Sequence, residues 1–173
     1  MINRALNSLV FFHRLRIKDP SKSIPFYRDV LKMTLLKEIH FGPDKGDFSL
    51  YFLASIPPGQ DVPDANDDKN NAANSFITNM YSQVLELTHN HGTEKNDSFS
   101  YHDGNAENKE EGIHRGFGHI GFLVDDLEKS CKFFDESGVK FKKRPEEGAM
   151  HGLAFIYDPD GYAVEIIQKG LAI

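Results

Sequence analysis

Ser21-Lys22-Ser23-Ile24-Pro25-Phe26-Tyr27 falls on Glu128-Lys129-Ser130-Cys131-Lys132-Phe133-Phe134, and this overlay, carried outward in both directions, decides the fold. Ahead of it, Ile17 falls on Val124 and Asp19 on Asp126. At the far ends, Val84-Leu85-Glu86-Leu87 falls on Ala163-Val164-Glu165-Ile166. Each copy has the same order of elements. In the first, Leu9 to Lys18 reads as a strand, Ser21 can cap a helix to about Lys32, and strands follow at Thr34–His40, Phe48–Ala54 and Gln83–Thr88. Ile24, Tyr27 and Leu31 form the core-facing stripe of that helix. In the second, Gly118–Val124 is a strand and Asp125 or Asp126 caps a helix to Ser137, stopped by Gly138. Its apolar stripe is Leu127, Cys131 and Phe134. Strands follow at Val139–Lys142, Leu153–Tyr157 and Tyr162–Ile167, with a turn at Asp158-Pro159-Asp160-Gly161.

A strand-helix-strand-strand-strand unit that occurs twice predicts an α+β protein. Two βαβββ modules, residues 9–90 and 115–168, form a curved mixed sheet around a cleft. Two units are too few for a solenoid. The stretches 57–79 and 96–112 are rich in Asp, Asn and other polar residues and read as loops.

Composition narrows the function. The chain has 173 residues with 39% apolar side chains, enough to build a core. A net charge of −6 argues against a nucleic-acid or anionic-membrane partner. The single cysteine, Cys131, excludes an internal disulfide and fits a reducing, cytoplasmic compartment. No apolar run approaches a membrane span, and the stretch before Phe12 is too short for a signal-peptide core.

The repeat also selects the chemistry. Glu86 and Glu165 hold the same place in the last strand of each half, each flanked by apolar residues. Strand side chains alternate faces, so each carboxylate points away from its neighbours. A buried carboxylate needs a cation, a metal or solvent. His119 opens the second half's first strand, with Arg115 four residues back. Two Glu and one His supply oxygen and nitrogen donors suited to Zn, Ni, Co or Fe, with positions left open for substrate.

Five stretches carry a family resemblance: Leu15-Arg16-Ile17-Lys18-Asp19-Pro20, Phe48-Ser49-Leu50-Tyr51-Phe52-Leu53-Ala54, Leu85-Glu86-Leu87-Thr88-His89-Asn90, Arg115-Gly116-Phe117-Gly118-His119-Ile120-Gly121 and Asp158-Pro159-Asp160-Gly161-Tyr162. In that order they resemble eukaryotic glyoxalase I, the lactoylglutathione lyases of the vicinal oxygen chelate superfamily. The similarity spans about Leu9 to Gln168. The resemblance implies isomerisation of the methylglyoxal–glutathione hemithioacetal to S-lactoylglutathione, by metal-assisted proton transfer through an enediolate. It implies zinc, with nickel or cobalt as alternatives, and glutathione as co-substrate. Glu86, His119 and Glu165 match the family's metal ligands, and Glu165 its catalytic base, with Glu86 assisting. Arg16, Asn90 and Arg115 match positions that hold glutathione, Lys143 is added as a fourth, and Met150 lies where the chain closes over the adduct. It also implies a homodimer whose sites draw on both copies.

One position departs from the pattern. The family's first metal ligand is a Gln or His in the first strand, and here that register holds Phe12; the repeat agrees, since Phe12 falls on His119. Phe cannot ligate. A bulge would turn the adjacent His13 inward, so His13 is kept as a candidate ligand. Without it three ligands remain, which still suffice for a metal at reduced affinity, and catalytic activity is expected to suffer. A glutathione-conjugate-binding paralogue is therefore the competing expectation. His91 and Ala163, where the family often has Trp, and Ala149, where it often has Lys, also differ. The histidines 40, 89, 91, 102, 114 and 151 read as surface or loop residues.

If the first strand is regular, Phe12→Gln raises affinity for a divalent metal, and His13→Ala leaves it unchanged. A bulged strand reverses both results, and metal titration of the two variants distinguishes the cases.

Overall fold

A computed structural model describes residues 12–65, 71–80, 82–105, 110–112, 115–148 and 151–171. The chain clusters into two compact units, 1–99 and 100–173. The first contains β1 (Phe12–Ile17), α1 (Pro20–Pro25), β2 (Thr34–Phe41), β3 (Phe48–Ala54), α2 (Ala72–Asn79) and β4 (Val84–Asn90). The second contains β5 (Ile120–Val124), α3 (Leu127–Glu136), β6 (Phe141–Lys143), β7 (Leu153–Tyr157) and β8 (Ala163–Gln168). The strand orders are β1-β4-β3-β2 and β5-β8-β7-β6. In each sheet the first strand pairs in parallel with the last, and the remaining pairs are antiparallel. The predicted βαβββ repeat is thus present in each unit, in the same topology.

Alternation divides each sheet into two faces. In the first unit, Leu15, Ile17, Tyr51, Leu53, Leu85 and Leu87 share one face by register and are all buried. Arg14, Arg16, Glu86 and Thr88 share the other. In the second unit, Ala154, Ile156, Val164 and Ile166 are fully buried. α3 packs against β7 and β8 and buries Leu127, Cys131 and Phe134, the stripe predicted from its spacing. Burial pushes the Cys131 thiol up, which keeps it protonated and inert.

Helix starts follow their capping chemistry, with one correction. Asp126 caps α3, its Oδ1 accepting from the Lys129 amide at 3.0 Å. The first helix is capped by Asp19 and not by Ser21. Pro20 occupies the first helical position, where a missing N–H costs nothing, and Asp19 Oδ1 accepts from the Ser21 amide at 2.9 Å and its hydroxyl at 2.6 Å. Pro25, inside the predicted helix, cannot donate to the preceding turn. The chain passes there into a π-helical turn, Phe26–Val30, with the Leu31 amide reaching back to the Phe26 carbonyl. This shift buries Ser23, Phe26 and Tyr27, leaving Ile24 and Leu31 only half-buried. The turn after β7 forms as predicted. Asp158 Oδ1 accepts from the Asp160 and Tyr162 amides at 3.0 and 2.8 Å, and Gly161 takes φ +91°.

The predicted loop over 57–79 is corrected in its last third, where α2 forms. Its sequence, Ala-Ala-Asn-Ser-Phe-Ile-Thr-Asn, has little intrinsic signal. Packing supplies the stability instead: Ile77 joins Leu36, Ala54 and Val84 in a buried cluster, with Phe76 and Met80 against it. Lys37 Nζ, buried on β2, donates to Asn74 Oδ1 at 2.6 Å and ties the helix to the sheet.

Leu87 is fully buried on an interior strand, so Leu87→Ala should cost about 2–5 kcal/mol of unfolding free energy. Urea denaturation of the two proteins measures the difference.

Candidate functional site

Both carboxylates singled out by the repeat lie on an interior strand, opposite the parallel first strand of their own sheet. Arg14 pairs with Glu86, and Gly121 with Glu165. These pairs are themselves related by the repeat: the offset that carries Ile17 to Val124 carries Arg14 to Gly121. The two units therefore present the same framework with different chemistry.

In the second unit, His119 immediately precedes β5 and its Nε2 lies 3.2 Å from Glu165 Oε2. The imidazole stands edge-on to Phe155, at 5.2 Å between ring centres, and is nearly half exposed. Phe155 is the antiparallel partner of Glu165. One nitrogen and one carboxylate oxygen thus converge over an apolar ring, open to solvent on the His119 side.

In the first unit, Glu86 is only 2% exposed. Its Oε1 accepts from Arg14 Nε at 2.5 Å and from Thr88 Oγ1 at 3.3 Å. The register of β1 against β4 is unbroken from Phe12 to Ile17. Phe12 and Arg14 therefore share the face of Glu86. His13 pairs with Leu85 on the opposite face, where its Nε2 meets Gln83 Oε1 at 3.2 Å. No bulge turns it inward, so the candidate ligand role for His13 is corrected on strand parity. Arg14 was missed in the sequence reading. The signal was available: two positions after Phe12 in a regular strand, it had to share Phe12's face.

Of the predicted glutathione-holding residues, Arg16 and Asn90 are brought together on the face of Glu86, Arg16 Nη1 lying 3.4 Å from Asn90 Oδ1. Arg115 is exposed, four residues ahead of His119. Lys143 ends β6, its ammonium donating to the carbonyls of Arg144 and Leu153 at 3.2 and 3.3 Å. Met150 lies outside the described residues, as do Ala149 and His114.

Three histidines expected at the surface take part in a network of the first unit, on the face opposite Glu86. Ser49 Oγ contacts His40 Nδ1 at 2.8 Å and His91 Nε2 at 2.7 Å, and His91 Nδ1 contacts Asp47 Oδ1 at 2.7 Å. His89 is buried and its Nε2 contacts Glu94 Oε2 at 2.9 Å. Hydrogen bonds from its own amide and from His89 hold the Glu94 carboxyl below the usual range. Ser49, His91 and Asp47 have the order of a nucleophilic triad. Ser49 is 2% exposed, however, and its oxygen is taken by two imidazoles, so the network satisfies buried polar groups and presents no nucleophile.

An imidazole and two carboxylates are donors suited to a divalent metal. The His119–Glu165 pair supplies the imidazole and one carboxylate of that set. Glu86 fits the set in chemistry but is already neutralised by Arg14, and Phe12 adds no donor. Among the described residues, no cluster of three or more His, Cys, Asp or Glu forms that could hold a metal.

The family model of the Glyoxalase/Bleomycin resistance protein/Dioxygenase superfamily matches residues 5–166. The lactoylglutathione lyase of Pseudomonas aeruginosa is 48% identical over 163 residues, 94% of this chain and 84% of that protein. Glyoxalase I of Saccharomyces cerevisiae is 44% identical over 153 residues, 88% of this chain but 42% of the yeast protein, so the chain spans less than half of that relative. Among solved structures, the trypanothione-dependent glyoxalase I of Leishmania major has the same fold, with a TM-score of 0.64 at 23% identity, covering 94% of this chain and 88% of that one.

His119→Ala should lower the content of bound divalent metal sharply, because it leaves carboxylates without the imidazole donor. Elemental analysis of the purified variant against wild type measures it, and full retention would remove His119 from the ligand set.

Proposed function

The chain belongs to the Glyoxalase/Bleomycin resistance protein/Dioxygenase superfamily, and within it to the lactoylglutathione lyases, and from that premise we propose that it converts the hemithioacetal of methylglyoxal and glutathione into S-lactoylglutathione. The observation that carries the reading is the His119–Glu165 pair at 3.2 Å, with Glu86 at the matching place in the other unit.

Glu86, His119 and Glu165 are the residues that would hold a divalent metal, with zinc as the first candidate and nickel or cobalt as alternatives. Bound there, the metal supplies Lewis acidity toward the substrate's oxygens. The reaction moves one proton between adjacent carbons. Glu165 removes it from the carbon bearing sulfur and returns it to the neighbouring one, which requires only a carboxylate within reach of both. Glu86 assists from the other unit's framework. Glutathione carries two carboxylates, and Arg16, Arg115 and Lys143 are cations suited to them, with Asn90 as an uncharged partner. Met150 is assigned to closing over the thiol adduct. The assembly is a homodimer whose two copies both contribute donors.

Phe12 and the Arg14–Glu86 pair favour a second reading, a glutathione-conjugate-binding paralogue with impaired catalysis. Both place a non-ligand beside Glu86.

Purified protein supplied with zinc should form S-lactoylglutathione from methylglyoxal and glutathione, monitored as thioester absorbance. Arg115→Ala should weaken binding of an S-alkyl glutathione by about 1.5–3 kcal/mol, the range for a hydrogen bond to a charged group. Tight binding of the conjugate without turnover would establish the second reading; absence of both would dismiss the two together.

A further inference from the structure

The position facing the interior-strand carboxylate is glycine in the second unit and arginine in the first. Gly121 has no side chain to reach Glu165 Oε2, to which a Cβ there would stand in ordinary contact at 3.8 Å, and that oxygen meets His119 instead. At the equivalent place Arg14 extends its side chain and sets Nε on Glu86 Oε1. The position equivalent to His119 is Phe12, which offers Glu86 nothing to bond. The first unit thus solves the problem of its buried carboxylate within one strand pair.

We propose that Arg14 is an internal counter-cation that takes, on Glu86, the place a divalent metal would take, so that metal reaches the first unit's carboxylate only by displacing the guanidinium. The proposal rests on the reading of Glu86 as a metal ligand. Three observations carry it. Glu86 is almost fully buried, and a buried carboxylate needs a compensating cation whether or not metal is bound. A guanidinium and a divalent ion on the same oxygen would stand a few ångströms apart as like charges, so one excludes the other. Finally, the Arg14 side chain is 51% exposed while that of Glu86 is 3% exposed. Arg14 can therefore withdraw its charged head into water along its flexible stem, while Glu86 has no such exit. Metal occupancy of this half becomes a competition governed by metal concentration, and Arg14 keeps the metal-free unit folded with its carboxylate satisfied.

Zinc affinity, read by competition with a chromophoric chelator, and the zinc-induced rise in melting temperature test this on the whole chain. Arg14→Leu should bind zinc at least tenfold more tightly than wild type. It should also melt lower without metal and gain more from zinc. Arg14→Gln, which keeps the length of the side chain without its charge, should behave alike and stands in if the leucine variant fails to fold. Arg14→Lys, still cationic, should stay near wild type. Adding Glu86→Gln to Arg14→Leu should abolish the gain. If the gain persists in that double variant, freeing Glu86 is not its cause and the proposal falls. If neither uncharged Arg14 variant gains while Glu86→Gln alone loses affinity, Glu86 binds metal beside Arg14: the competition is refuted and the ligand reading survives. If neither Arg14→Leu nor Glu86→Gln alters affinity, Glu86 is no ligand and both ideas fall.

Discussion

A carboxylate set on an interior strand among apolar neighbours must be given a partner, and the local structure of each unit is arranged around that demand. Glu86 sits between Leu85 and Leu87, which are buried on the other face of β4. Glu165 sits between Val164 and Ile166, which are fully buried on the other face of β8. The apolar flanks hold each strand in register, because a slip of one residue would place a carboxylate in the core and a leucine or valine at the site. Burial strips Glu86 of water and limits it at Glu165, so each seeks a positive or hydrogen-bonding partner. In the second unit that partner is an imidazole; in the first it is a guanidinium.

This difference matters because the framework is otherwise repeated. Strand order, the parallel pairing of first and last strands, and the aspartate helix caps are common to both units. Beside the interior-strand glutamates the two units differ in chemistry, Phe12 standing against His119 and Arg14 against Gly121. A fold kept while the side chains facing its carboxylates change is the pattern expected when the scaffold is maintained by packing and the chemistry resides in a few residues placed on it.

The face of the first sheet opposite Glu86 shows a different use of polar groups. His40, Ser49, His91 and Asp47 form a continuous chain of contacts along β2, β3 and the turn after β4. His91 joins Ser49 and Asp47 through its two ring nitrogens. A triad-like order of residues is here a means of satisfying a buried serine, and only burial distinguishes it from a reactive one.

The doubled βαβββ order, the interior-strand glutamates, the α3 stripe and the Asp158–Gly161 turn could all be read from the amino acids in order, because each depends on spacing that a strand or helix imposes directly. Spacing could not supply α2: its eight residues carry little helical signal and its stability comes from packing Ile77 on Leu36, Ala54 and Val84, distant in the chain. The π turn after Pro25 was hidden too, since it arises from the loss of one hydrogen bond within an otherwise helical pattern. For the site, the sequence alone determined that two glutamates and a histidine occupy related positions, and that Phe12 stands where a ligand belongs. Only the tertiary structure decided what each carboxylate touches. The unbroken register of β1 on β4 turns His13 away and brings Arg14 onto Glu86. Strand pairing joins residues some seventy positions apart, and its phase decides which of two neighbouring side chains faces the site.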